Sequence, residues 1–330
     1  MAFDRKVVDK KLRATGDVLN FIVPYYTKPK MKIINSFARV IFRGKRPLDV
    51  KTEYSQVFVL REDQSKLRVC VYSNKQTLTQ KSVALIWFHG GGFAMNVPEQ
   101  DYVFFKNLIK KYNVVVFAPD YTKSTEKPFP AAFEDAKKTL EFVKNHAENF
   151  GVSADSIFVG GDSAGGGLAF ALSLYARDVG DDSISYVISI YPMINHKHTQ
   201  TSKDNNMPIW NTRSNEEAWK MYIGDFDKTD PYFKYASPSV EEDYSNLPPV
   251  FTYVGTEDPF YAETIEMIAK LKSAGVPVSF KIFEGCYHGF DIACPLAPKS
   301  KEAKQFLIHE FGFACENYIK QKRNKTDEKD

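Results

Sequence analysis

From about residue 55 onward, short runs of β-branched and aromatic residues alternate with longer amphipathic stretches, and few chain architectures accommodate such a pattern. The candidate strands are Val57–Leu60, Leu67–Tyr72, Val83–Phe88, Val114–Pro119, Ile157–Gly160, Tyr186–Tyr191, Val250–Val254 and Val278–Phe283. The middle runs are continuously apolar, as strands covered on both faces must be. Between them lie helical patterns. In Ala131–Phe150 the residues Phe133, Ala136, Leu140, Val143, Ala147 and Phe150 recur at three- and four-residue intervals before the stop at Gly151. Phe260–Ala274 repeats the device with Ile265, Ile268 and Leu271, ending at Gly275. The fold class expected is α/β, a mostly parallel eight-stranded sheet with helices on both faces.

Two segments stand outside the alternation. Residues 1–50 are helix-prone, interrupted at Pro24 and Pro29, and carry 12 Lys/Arg against 4 Asp. The whole chain is only +3, so the remainder is about −5. This is too little for a nucleic-acid partner, and the basic segment reads first as a solvated face, with contact to an anionic membrane surface the less favoured alternative. Residues 192–245 separate two strands and hold Trp210, Trp219, Tyr222, Phe226, Tyr232, Phe233 and Tyr235. A connection this long inside an α/β domain has a function more often than not, and both segments could cover a site as a lid. The domains expected are an N-terminal helical segment 1–50, a catalytic domain 51–320 with 192–245 inserted, and a polar tail 321–330.

Four scattered cysteines, Cys70, Cys286, Cys294 and Cys315, have neither zinc-ligand spacing nor disulfide density. With no apolar leader after Met1 and no run near the ~20 apolar residues of a membrane span, a cytoplasmic location is expected. The triplet Asn324-Lys325-Thr326 lies in the polar tail and reads as a chance match to a glycosylation signal.

Gly161-Asp162-Ser163-Ala164-Gly165 fits Gly-x-Ser-x-Gly. The match gains weight from its setting, since Ile157-Phe158-Val159 reads as a strand and Leu168–Leu172 as the helix after it. A serine on such a sharp turn needs small neighbours and sits at a helix N-terminus, whose dipole favours developing negative charge. Upstream, His89-Gly90-Gly91-Gly92 follows the strand Val83–Phe88. Consecutive glycines allow backbone N–H groups to approach an oxyanion where a Cβ would interfere. The donors expected are Gly91, Gly92 and Ala164, the residue after the nucleophile. His89 is expected to order this loop.

These stretches resemble the hormone-sensitive-lipase branch of the α/β-hydrolase superfamily, bacterial-type carboxylesterases that are also similar to arylacetamide deacetylase. The matching residues are His89-Gly90-Gly91-Gly92-Phe93, Asp120-Tyr121, Pro128-Phe129-Pro130-Ala131-Ala132 with Glu134-Asp135-Ala136, Gly160–Gly166, Leu247-Pro248-Pro249, Asp258-Pro259 and His288-Gly289-Phe290. They stand in the family's order across roughly residues 55–320. The resemblance implies a helical cap built from residues 1–50 and 192–245. Two departures, Thr122–Glu126 where the family reads Arg-Leu-Ala-Pro-Glu, and Ala262-Glu263 after Asp258-Pro259, bear on loop packing and substrate identity.

In this fold the acid and the histidine follow the serine. Of six histidines, only His288 follows the last strand in a glycine-flanked loop. An imidazole, unperturbed near ~6.5, takes and returns a proton at neutral pH. His146 and His309 fall in helical patterns, and His196 and His198 in the insertion. Cys286 raises a thiol mechanism, but no strand-turn-helix presents it. Asp258, after the strand Val250–Val254, is the acid that would orient the imidazole. Glu257 is its rival, set aside because Asp258-Pro259 matches the family motif and Pro259 can open a helix.

The expected function is hydrolysis of short- to medium-chain carboxylic esters by a serine carboxylesterase with Ser163, Asp258 and His288, needing no cofactor or metal. An amidase or deacetylase with the same triad, or a non-catalytic small-molecule receptor, are the alternatives.

Overall fold

The computed structural model describes residues 3–45, 47, 51–74 and 82–319; the expected polar tail 321–330 lies outside them. The helices are α1 (Arg13–Ile22), α2 (Lys28–Ile41), α3 (Tyr102–Lys111), α4 (Ala131–Asn145), α5 (Ala164–Asp178), α6 (Thr212–Ile223), α7 (Tyr261–Ser273), α8 (Phe290–Ala293) and α9 (Pro298–Asn317). The strands are β1 (Thr52–Leu60), β2 (Lys66–Asn74), β3 (Ser82–Phe88), β4 (Val114–Pro119), β5 (Val152–Asp162), β6 (Ile184–Ile190), β7 (Val250–Gly255) and β8 (Val278–Phe283).

They form one eight-stranded sheet in the order β1-β2-β4-β3-β5-β6-β7-β8. β2 runs antiparallel to both of its neighbours, and every other pairing is parallel. The period-two alternation of a strand divides the core. In β3, Ala84, Ile86 and Phe88 face one apolar layer with α4 and α5, while Val83, Leu85 and Trp87 face the other with α3 and α9. Every residue of β3, β4, β6 and β7 is buried, which is why those strands read as unbroken apolar runs.

Three expectations need correction. The run Ala131–Phe150 is not one helix: α4 ends at Asn145, and a 3-10 turn, Ala147–Phe150, carries the chain to Gly151 in the left-handed region. Pro29 does not interrupt a helix but sits in the first turn of α2, where its missing N–H costs no hydrogen bond. Pro24 does lie between the two helices. β1 and β5 also begin five residues earlier than their apolar stretches, at Thr52 and Val152, through pairing with β2 and β3.

The segments outside the alternation meet each other. Tyr26 N donates to Ser214 Oγ at 3.0 Å, Asn211 Nδ2 to Pro24 O at 2.7 Å, and Lys28 N to Glu217 Oε1 at 3.1 Å. Gly16 of α1 packs so tightly against Pro208 that a Cβ would lie 3.0 Å from its ring. Among the described residues, no helix is long and apolar enough to cross a membrane.

Candidate active site

Parallel register decides where the chemistry can assemble. Phe88, the last residue of β3, pairs with Gly161 near the end of β5. The glycine loop after β3 and the serine turn after β5 therefore leave neighbouring strands at the same carboxyl edge, where open α/β sheets gather ligands.

Ser163 stands between β5 and α5 at φ 55°, ψ −122°, a conformation that side-chain-bearing residues seldom adopt and that costs of order 1–3 kcal/mol. Its surroundings fix it there. Ser163 N donates to Ile190 O at 2.9 Å, and Ser163 O accepts from Gly167 N and Met193 N, both at 3.0 Å. The flanking glycines are needed for space: a Cβ on Gly161 or Gly165 would run into the Phe88 carbonyl. The turn aims the hydroxyl away from the sheet, and Ser163 is nevertheless only 4% exposed.

His288 follows β8 and precedes Gly289, which takes the left-handed φ of 65°. Asp258 follows β7, its N–H held by Gly255 O at 3.3 Å. The three side chains meet. His288 Nε2 lies 2.9 Å from Ser163 Oγ, and His288 Nδ1 lies 2.8 Å from Asp258 Oδ2. The other carboxylate oxygen, Oδ1, accepts from Phe260 N at 2.8 Å, so the carboxylate is held at both ends. With Nδ1–H donating to Asp258, Nε2 is the acceptor for the serine O–H. Tyr191 and Phe260 set their rings edge-on to the imidazole at 4.8 and 5.0 Å between centroids.

Glu257 is elsewhere: its N–H bonds to Cys286 O, and its carboxylate accepts from Thr256 Oγ1 at 2.8 Å. Burial pushes the Cys286 thiol up, which disfavours the thiolate. His196 bonds Ser237 Oγ at 2.9 Å and His198 faces Glu216 at 3.0 Å. His146 and His309 bond to local groups on their own helices. His89 is buried and stacked on Tyr121, with centroids 4.2 Å apart; its Nδ1 lies 2.8 Å from Gly90 O, and burial lowers its pKa so that it stays neutral.

Gly91 and Gly92 take φ values of 118° and 61°. Among the described residues, none of the N–H groups of Gly91, Gly92 and Ala164 has a protein acceptor. A tether invisible in the motif holds this loop: Gly90 N donates to Asp162 Oδ1 at 2.9 Å, joining it to the residue before the serine. Asp162 is buried beside Asp101, which also accepts from Trp87 Nε1 at 2.9 Å. Burial, and then the adjacent carboxylate, raise the Asp162 pKa well above the usual carboxylate range. From α2, Asn35 Nδ2 donates to Ala94 O at 2.8 Å and Asn35 Oδ1 accepts from Asn96 N at 3.0 Å, bracing the same loop from the N-terminal segment. Trp210 lies over Gly92, with its ring centroid 6.4 Å from that of His288. The only available signal for these supports was the density of aromatic and polar residues in segments of unassigned role.

The departures from the family pattern are absorbed locally. Thr122 N and Oγ1 both donate to Asp135 Oδ2 at 2.7 Å, and Lys123 Nζ reaches Asp120 Oδ1 at 2.8 Å. Glu263 is buried and accepts from Ile194 N and Asn195 N at 2.8 and 3.1 Å.

Residues 85–292 match a family described as alpha/beta hydrolase fold. The chain is 29% identical over 221 residues to the esterase LipI of Mycobacterium tuberculosis, covering 66% of this chain and 69% of that one. It is 27% identical over 291 residues to an arylesterase of Saccharolobus solfataricus, covering 83% and 91%. Among solved structures, a bacterial heroin esterase superposes with a TM-score of 0.83 at 25% identity, over 92% of this chain and 96% of that one. Brefeldin A esterase, described as a bacterial homologue of human hormone-sensitive lipase, shares the fold with a TM-score of 0.79 at 20% identity over 94% of each chain. Matched over more than half its length, the chain belongs to the alpha/beta hydrolase fold family, among its carboxylic ester hydrolases.

Proposed function

We propose that the chain hydrolyses carboxylic esters of short to medium acyl length through an acyl-enzyme, with Ser163 as nucleophile, His288 as base and acid, and Asp258 as orienting acid. One observation carries this reading: the continuous relay from Ser163 Oγ through His288 to Asp258, with links of 2.9 and 2.8 Å. As Oγ attacks the ester carbonyl carbon, its proton passes to Nε2. The resulting imidazolium is stabilised by Asp258 and gives the proton to the departing alcohol oxygen. Water then loses a proton to Nε2 and attacks the acyl carbonyl, and Ser163 leaves as the restored hydroxyl. In both steps the carbonyl oxygen becomes an oxyanion. The unengaged N–H groups of Gly91, Gly92 and Ala164 are its donors, each contributing about 3–4 kcal/mol to the transition state.

Trp210 over Gly92, together with the Phe93–Tyr222 stack at 3.8 Å, supports a shallow acyl pocket. Residues 1–50 and 192–245 act as its cap, and the hydrogen bonds between them support treating them as one unit. Four unpaired thiols, three of them buried, support a reducing, cytoplasmic location, which cell fractionation tests. For the reaction, fluorophosphonate labelling followed by peptide mapping should place the adduct on Ser163. Turnover of p-nitrophenyl esters should be best at or below about twelve acyl carbons and absent in Ser163→Ala. Labelling of another serine, or full activity in that variant, would overturn the assignment.

A further inference from the structure

α1 and α2 each have two faces, and the protein uses only one. Along α2, Met31, Asn35 and Ala38 are buried against the body of the molecule. With each residue turning about 100° around the axis, Ile33, Phe37, Val40 and Ile41 fall on the opposite side, at the spacing of an apolar stripe. All four are exposed, Phe37 at 63% and Val40 at 77%. On α1, Gly16 is the buried contact while Val18, Phe21 and Ile22 point outward, Phe21 being 89% exposed. A single exposed leucine or valine on a protein surface is ordinary; seven large apolar residues on the outer faces of two successive helices are not.

The charge around these faces identifies what covers them. Residues 13–45 hold seven Lys/Arg and one acid, Asp17, and Asp17 is already paired with Arg5 at 3.0 Å. On α2, Lys28, Lys32 and Arg39 lie between the buried face and the outward apolar face. Arg39 and Arg43 reach Glu126 and Asp120, but the side-chain ammonium groups of Lys28, Lys32 and Lys45 have no carboxylate within ion-pair distance among the described residues. A second copy of this chain docked face to face would bring the same cations against each other. An anionic lipid surface accepts both parts, taking the apolar side chains below the headgroups and pairing the ammonium groups with phosphate.

We propose that the outer faces of α1 and α2 form a docking site for an anionic bilayer surface, on which the protein lies without crossing the membrane. The link between the two helices carries Pro24 and Tyr26, which hold Asn211 and Ser214 of the segment containing Trp210. The docked helices thus also anchor the cover of the candidate active site.

The test is co-sedimentation of the full chain with vesicles of phosphatidylcholine alone or mixed with phosphatidylglycerol. The protein should pellet with the mixed vesicles, remain largely free with the neutral ones, and be released as salt is raised. Phe21→Ser with Phe37→Ser, and separately Lys32→Glu with Lys45→Glu, should each weaken the association by about tenfold or more. Turnover of a soluble p-nitrophenyl ester should be unchanged in both, which reports an intact fold; should a variant misfold, the lipid and salt dependence of the unaltered chain still decides. Failure to pellet with either vesicle, equal binding to both, or a dimer in sedimentation equilibrium that the phenylalanine variant dissociates while vesicles go unbound, would each overturn the proposal.

Discussion

Trp210 presses on Gly92 so closely that a Cβ on the glycine would overlap the indole ring. The indole is itself held, by Nε1 donating to Asn215 Oδ1 at 3.3 Å and by the Tyr26 ring at 5.7 Å. One aromatic side chain from the 192–245 insertion therefore limits the space above a candidate oxyanion donor. Trp210→Ala should raise kcat/KM for long-chain p-nitrophenyl esters relative to the acetate, by about tenfold for each 1.4 kcal/mol of relieved exclusion. A chain-length profile measured on both proteins checks this, and an unchanged profile would remove Trp210 as the determinant.

The bond from His288 Nδ1 to Asp258 Oδ2 fixes which nitrogen faces the serine. Asp258→Asn keeps the shape but allows the wrong tautomer, and kcat should fall by about 10⁴. Stopped-flow measurement with p-nitrophenyl acetate should show the loss in kcat rather than in KM. A fall of less than tenfold would contradict the orienting role.

Asp162 acts through the loop and not on the substrate. Asp162→Ala removes the acceptor for Gly90 N inside the protein, and a buried group left without its partner costs about 1–3 kcal/mol. The expected result is a drop in kcat of about tenfold or more with little change in KM, because the loop that loses its tether carries the proposed oxyanion donors Gly91 and Gly92. Asp162→Asn retains an acceptor oxygen and should recover much of the rate. If both variants behave alike, the tether is not what matters.

Arg68 is buried with its guanidinium between Glu99, at 2.5 Å, and Asp120, at 2.9 Å. Arg68→Met would take from Glu99 its arginine and leave Asp120 only Lys123 and Arg43, and loss of one partner from such a largely buried cluster typically costs about 3–5 kcal/mol. Urea denaturation should show that decrease, whereas mutation of the exposed pair Lys281–Glu302 should change stability by less than about 1 kcal/mol.

Burial lowers the His196 pKa from its ordinary 6.5 to about 4. The unfolded chain therefore binds this proton first on acidification, and folding stability falls with pH between 6.5 and about 4. Below about 4 both states are protonated and the contribution levels off. His196→Asn should flatten the melting temperature against pH in that window and leave it unchanged above 7; equal slopes in the two proteins would show that another group is responsible.

What could be read along the chain was set by which residues do their work locally. β4 and β8 run between the residues their apolar runs indicate, and β3 and β7 differ from theirs by one residue at one end. The starts of β1 and β5 were hidden because Thr52–Gln56 and Val152–Ser156 are largely polar; Thr52–Gln56 are held as strand by pairing with β2, and β5 begins early through the single pairing of Val152 with Ser82. Ser163 was legible because its turn needs Gly161 and Gly165 within two positions. Trp210, Asn35 and the Asp162 tether were not, since Asn35 and Ala94 are 59 positions apart and Gly90 and Asp162 are 72 apart. No periodicity connects such pairs.

The sequence alone determined the alternating architecture, the strained serine turn, the glycine loop and the order of serine, acid and histidine, because each depends on backbone geometry within a few residues. The tertiary structure decided that Asp258 and not Glu257 faces the imidazole, that the N-terminal helices brace the glycine loop while leaving seven apolar side chains outside, and that a tryptophan covers the site. Those outcomes depend on where distant segments come to rest against one another, and only the packed sheet, with its parallel register and two apolar layers, fixes that.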